Sequence, residues 1–264
     1  MATRLTTLRF AGALFATNLK ASLTLRGAFL AQVAFMALNN LTFFVFWWVL
    51  MRRVPEIRGW HLRDVQVLFG MVATAFGLSV AVAGGVRQLG RLIEDGELDT
   101  VLVQPPHALV HAAGLRSQAS GFGDMLSGVA LMALSGGVGW VDGPRLVVAI
   151  VAAACVFVAS GIIFFSAAFW LGRADTLARQ MWDLTVTFSL YPEPLFGGVL
   201  RLVLFTVIPA GWVGYVPAHV ASRASAGELL ALVVAACTYL RLASAMFDRG
   251  LRRYASGSRF GTFG

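Results

Sequence analysis

Apolar residues in this chain come in runs of about 20, separated by short charged stretches, the spacing of helices that cross a bilayer. Six such runs are expected: Gly27 to Met51, Val65 to Val86, Gln118 to Val141, Leu146 to Gly172, Leu195 to Pro217 and Leu229 to Phe247. Ahead of the first, residues 4–26 set Leu8, Phe15 and Leu19 on one side of a helix and carry Arg4, Arg9, Lys20 and Arg26. That pattern predicts an amphipathic helix in the membrane interface, its cations among anionic headgroups. The fold class is therefore all-α, a single polytopic membrane domain.

The runs differ in character. The first has no charge before Arg52 and ends in Phe46, Trp47 and Trp48, aromatic rings that favour the interface. Asn39 and Asn40 lie in its middle, placed to bond a neighbouring helix or to line a substrate path. The third is rich in small residues, Gly121, Gly123, Ser127, Gly128, Ser135 and Gly136, and carries Asp124. Small residues let helix backbones approach closely, which predicts a helix inside the bundle. The fifth is interrupted by Pro209, Gly211, Gly214 and Pro217 and contains Arg201. Broken backbone at membrane depth needs protein or a water-filled cavity around it, so a bent or re-entrant piece is expected. Arg201 is placed to bind an anionic substrate or to pair with Glu193, and Arg241 to snorkel to headgroups.

Composition agrees: 58% of residues are hydrophobic, only 13% are charged, and mean hydropathy is +0.76. A net charge of +8 raises nucleic acid as a partner. The basic residues sit at the ends of apolar runs, where topology requires them, so no nucleic-acid partner is expected. Cys155 and Cys237 both fall inside apolar runs, which excludes a disulfide framework and a paired-cysteine metal site. The first apolar run is too long and too late for a cleavable signal. With both termini inside, the cytoplasmic segments hold the larger share of lysine and arginine, including the basic tail 248–264. The first outer loop, with Arg52, Arg53, Arg58 and Arg63, runs against that rule.

The longest polar segment between spans, Arg87 to Ser117, organises the rest. Glu94, Asp95, Glu97 and Asp99 form an acidic run, while Leu98, Val101 and Leu102 recur at helical spacing. Pro105 and Pro106 stop the helix. Lipid surfaces attract basic faces, so a short helix with four carboxylates is read as docking to a protein.

Chemistry of its own is lacking. A phosphate-binding loop needs a lysine in GxxxxGK[ST], and the only lysine, Lys20, follows Leu19. His107 and His111 are spaced to share a metal but lack a third ligand nearby, and no HExxH occurs. Ser135 has no histidine inside the spans to activate it. No catalytic residue, metal or cofactor is assigned.

The stretch Gly96-Glu97-Leu98-Asp99-Thr100-Val101-Leu102-Val103-Gln104-Pro105-Pro106 resembles the G-x-L-D-x-x-L-x-x-P element of the ABC type-2 export permeases. Tyr191-Pro192, Arg201-Leu202, Ile208-Pro209 and Tyr215-Val216-Pro217-Ala218 are similar to a subgroup of paired permeases with a separate ATPase. Gln104 departs from it, standing where a basic residue is expected. The resemblance implies a permease of the bacterial inner membrane, both termini cytoplasmic, forming the pathway with a second permease, a different one or a copy. It also implies two ATP-binding subunits that carry the ATP and magnesium. Residues 90–103 would be the coupling helix in a groove of the ATPase, Leu98, Val101 and Leu102 filling the groove and Glu94, Glu97 and Asp99 meeting basic residues. Asn39, Asn40 and Arg201 are the candidates for the substrate path. The alternative is an ion-coupled secondary transporter, with Asp124 as its acid.

Overall fold

The computed structural model describes residues 2–103, 108–136, 138 and 143–254. The proline stop at Pro105 and Pro106, His107, the turn residues Val141 and Asp142 and the tail beyond Tyr254 lie outside the described residues. Among those described, every regular element is a helix or helical turn.

Helix α1 (Ala2–Thr24) leads into α2 (Arg26–Arg53). A loop closed by mutual backbone hydrogen bonds between Ile57 and Trp60 precedes α3 (Leu62–Ala83). The His61 N–H donates to the Asp64 carboxylate at 2.9 Å, satisfying one amide at the start of α3. A 3-10 turn, Gly84–Gln88, carries α3 on into α4 (Leu89–Glu94), followed by α5 (Asp99–Leu102) and α6 (Ala108–Gly114). Then come α7 (Ser120–Leu134), α8 (Gly143–Ser166), α9 (Ala168–Leu171) and α10 (Asp175–Ser189). After a short turn at Glu193–Leu195, α11 (Gly198–Thr206), a π-helical turn and α12 (Val216–Arg223) form a broken pair bent by 74°. The last helix, α13 (Ala226–Leu251), begins where the Ser225 hydroxyl accepts from the Glu228 N–H at 3.3 Å.

Four of these helical stretches are long and apolar enough to cross a membrane by themselves: Arg26–Arg53, Leu62–Glu94, Gly143–Leu171 and Ala226–Leu251. Contacts between loops define two ends of the bundle. At one end Glu94 meets Ala174 and Asp175, and the Asn18 amide donates to the Gly114 carbonyl at 2.8 Å. At the other, the Arg58 guanidinium donates to the Pro194 carbonyl at 2.7 Å, and the Trp47 and Tyr191 rings lie 5.6 Å apart. Helix α10 runs from the first end to the second. The broken pair starts beside Glu193 and finishes with His219 against the same Glu193, so it begins and ends at one end.

This differs from the expected fifth span at 195–217. The traverse between the ends is made by Asp175–Ser189, and residues 198–223 fold back on themselves. Arg173, Asp175, Arg179 and Asp183 lower the hydropathy of that segment below that of a span. In the fold, the Arg179 guanidinium donates to the Asp175 carboxylate at 2.7 Å and to the Arg87 carbonyl at 3.0 Å, so the charges are held at the helix end. The apolar face of α10 then reaches the core through Trp182, whose ring packs where Gly161 of α8 leaves room.

Helix α3 is the spine, with Val65, Leu68, Met71 and Ala75 fully buried. It crosses α7 at glycines: a Cβ on Gly77 would lie 2.7 Å from the Cβ of Asp124, and one on Gly128 would overlap Thr74. Helix α2 approaches the other side of α7, where Gly123 faces the Val33 backbone. The third run thus buries its small-residue face against α3 and α2, but Leu126, Val129 and Leu134 leave its other face exposed, and the helix is shorter than the run suggested.

Candidate functional site

Two regions joined by α10 make up the site. The first is the loop after α3. The expected continuous helix over residues 90–103 is two short helices, α4 and α5, with Gly96 between them at φ +71, a conformation glycine adopts without strain. The bend turns the second arm back on the bundle. Leu98 is 0% exposed and Val101 2%, so both pack inside this chain instead of facing outward. This revises their expected place in a partner's groove: the helical stripe exists, but the chain's own core covers it. Leu102 and Val103 remain on the outside, Val103 at 86% exposure, together with Glu97 and Thr100.

Glu94 is also engaged within the chain. Its Oε1 accepts the N–H groups of Ala174 and Asp175 at 2.7 and 2.8 Å. These are among the first amides of α10, which has no side-chain cap of its own, and a carboxylate there meets the positive end of the helix. Arg91 adds an ion pair to Asp175 at 3.5 Å. Gly90 lets the two elements touch: a side chain there would begin 2.7 Å from the Asp175 carboxylate. Asp99, on the second arm, lies beside Tyr254 at the end of α13. Burial first and the Asp99 charge second push the Tyr254 phenol above its usual range. The loop is thereby fastened to the starts or ends of two long helices. Sequence reading missed Arg91, Asp175 and Arg179 in this arrangement. The i, i+4 pair Asp175 and Arg179 is the signal that marks a helix there.

The second region is a cavity of about 660 Å³ between α2, α3, α7 and α10. Asn39, Asn40, Phe43, Phe46, Trp47, Phe69, Phe76 and Asp124 line it, and the last turns of α10 contribute Val186, Thr187 and Leu190. Asn40 donates to Asp124 Oδ1 at 2.8 Å and to Ser127 at 2.9 Å, which ties α2 to α7. Asp124 is buried, and its second oxygen has no hydrogen-bond partner among the described residues. Asn39 stays exposed on the cavity's rim. The structure thus brings Asn39 and Asn40 together and leaves Arg201 elsewhere. Arg201 pairs with Glu193 at 2.7 Å at the far end of the bundle, the pairing its spacing allowed. Among the described residues, no group of three or more His, Cys, Asp or Glu side chains is placed to hold a metal ion.

A largely aromatic and aliphatic cavity with a few polar groups suits an apolar or amphipathic solute. Its wall is continuous, through α10, with the loop at the opposite end. No curated protein matches the chain. A family model described as "ABC-2 family transporter protein" matches residues 37–258, and the chain belongs to that family of membrane transporter permeases.

Proposed function

We propose that this chain is the permease subunit of an ATP-driven exporter, coupled to a separate ATP-binding subunit through the loop around α4 and α5. Two such subunits hold the ATP and magnesium, and a second permease, a copy or a related chain, completes the path. Six crossings, by α2, α3, α7, α8, α10 and α13, put both termini and the coupling loop on the cytoplasmic side of the inner membrane. The observation that carries the reading is the pair of hydrogen bonds that the Ala174 and Asp175 amides, at the start of α10, donate to Glu94. The far turns of α10 wall the cavity, about 22 Å away at 1.5 Å per residue. Movement imposed on the loop by ATP-driven closure is passed along a stiff helix to the cavity wall. The docking surface on this chain is the exposed part of the loop, Leu102 and Val103 with Glu97 and Thr100 at its edge. Export is the direction this reading assigns.

Purification from native membranes in mild detergent tests it. A P-loop ATPase should accompany the chain and be lost from the L102D/V103D variant. Removing two aliphatic contacts is worth roughly 2–3 kcal/mol, a fall in affinity of about 30- to 140-fold. A chain that transports in liposomes without any ATPase overturns the reading. The ion-coupled alternative then takes its place, favoured by the partnerless oxygen of Asp124.

A further inference from the structure

The end of the bundle opposite the coupling loop holds a second cavity, about 430 Å³, and its lining is basic. Arg58 comes from the loop between α2 and α3, Arg201 from α11 and Arg223 from the last position of α12. Trp60 and His219 complete the wall, their rings 6.0 Å apart. We propose that this cavity is an oxyanion site, built to take a phosphate group.

Three observations support it. Arg58 has φ +49, a left-handed conformation that costs an arginine about 1–2 kcal/mol. Held that way, its guanidinium reaches the Pro194 carbonyl at 2.7 Å and keeps further N–H donors for the cavity. Strained residues of this kind gather at ligand clamps. The charge is only partly balanced: Glu56, two residues before Arg58, accepts from the Gly59 N–H at 3.0 Å and stands 3.8 Å from His61. Among the described residues Glu193 is the one carboxylate in the lining, and it is shared between Arg201 at 2.7 Å and His219 at 3.7 Å. Glu228 stands 3.6 Å from the other nitrogen of His219, while Asp64, in an adjoining small cavity, accepts from the His61 N–H at 2.9 Å. Among the described residues neither Arg58 nor Arg223 has a carboxylate within ion-pair distance. Finally, the loop carrying Arg58 is the one whose arginines run against the charge rule for topology, and a ligand on that side accounts for keeping Arg58 there.

Guanidinium groups bind phosphate oxygens through paired N–H donors. Three of them, from three separate elements, suit a tetrahedral oxyanion better than a planar carboxylate. Such a group is supplied either by a phospholipid headgroup or by a phosphate in solution.

The test uses the full chain, purified as it occurs, with inorganic phosphate and with nanodiscs of phosphatidylglycerol or phosphatidylcholine as probes. The variant is R58G/R223Q, because glycine takes the Arg58 conformation without strain and should leave unliganded stability intact. The control R53Q/R63Q removes two exposed arginines on the helix ends that flank the same loop. Thermal shift should show phosphate binding that falls about tenfold or more in R58G/R223Q and not in R53Q/R63Q. Preferential retention of one phosphatidylglycerol per chain in native mass spectrometry, displaced by phosphate, identifies a headgroup. Phosphate binding without lipid preference identifies a soluble anion. Equal binding by wild type and R58G/R223Q, or equal loss in both variants, overturns the proposal.

Discussion

Glu94 lends its carboxylate to two amides of a helix that starts eighty residues further along the chain. Removing it leaves the first turn of α10 without that partner and costs about 1–2 kcal/mol. The E94A variant should still insert and still recruit the ATPase, but the ratio of substrate exported to ATP hydrolysed in proteoliposomes should fall severalfold. E94Q, which keeps an acceptor oxygen and loses the charge, should lie between. An unchanged ratio in E94A would show that force does not pass through this contact. At this scale the sequence disclosed which residues share a face, not what covers it. Leu98 and Val101 keep helical spacing whether a partner or the chain's own core lies opposite, and the turn at Gly96 decides for the core. The pairing of Arg201 with Glu193 and the amide of Asn40 bonded to another helix were both legible, because a charge or amide inside an apolar run needs a partner nearby.

Among the elements, α2, α3, α8 and α13 could be read from hydropathy alone, since each has a long apolar run with charge confined to its ends, Arg241 of α13 excepted. Helix α10 could not. Four charged residues within eleven positions hide its amphipathic face, and only the three-dimensional pairing of Asp175 with Arg179 shows how they are accommodated. The following segment has the hydropathy of a span but not its geometry. Pro209 and the π-helical turn bend it so that the Trp212 indole donates back to the Phe205 carbonyl at 2.9 Å. With Cys155 and Cys237 replaced, single cysteines at Gly197 and Ala224 should therefore react with a membrane-impermeant maleimide from the same side. A cysteine at Arg173 should react from the other. Labelling of positions 197 and 224 from opposite sides would mean that the pair crosses.

For the molecule as a whole, the glycine crossing of α3 and α7 sets the spacing of the bundle. A G77V change places methyl groups into the Gly121 carbonyl and the Asp124 side chain, overpacking that costs about 1–3 kcal/mol. The detergent-solubilised protein should melt several degrees lower, whereas G12A, which meets nothing within 4 Å, should melt as wild type does. Against that tight centre, α2 is held loosely. Leu30, Phe35, Leu38, Phe43 and Phe46 of this helix are all more than half exposed, and Phe43 and Phe46 also line the 660 Å³ cavity. The cavity therefore opens sideways on this chain, and in the membrane permease proposed above that side would face hydrocarbon. A solute entering by that door has already been concentrated by partitioning into the lipid. Its apparent dissociation constant, referred to the aqueous phase, falls by the partition ratio. A wall of phenylalanines and two amides then needs little affinity of its own, and apolar solutes are ranked by how well the membrane dissolves them before the protein makes any contact.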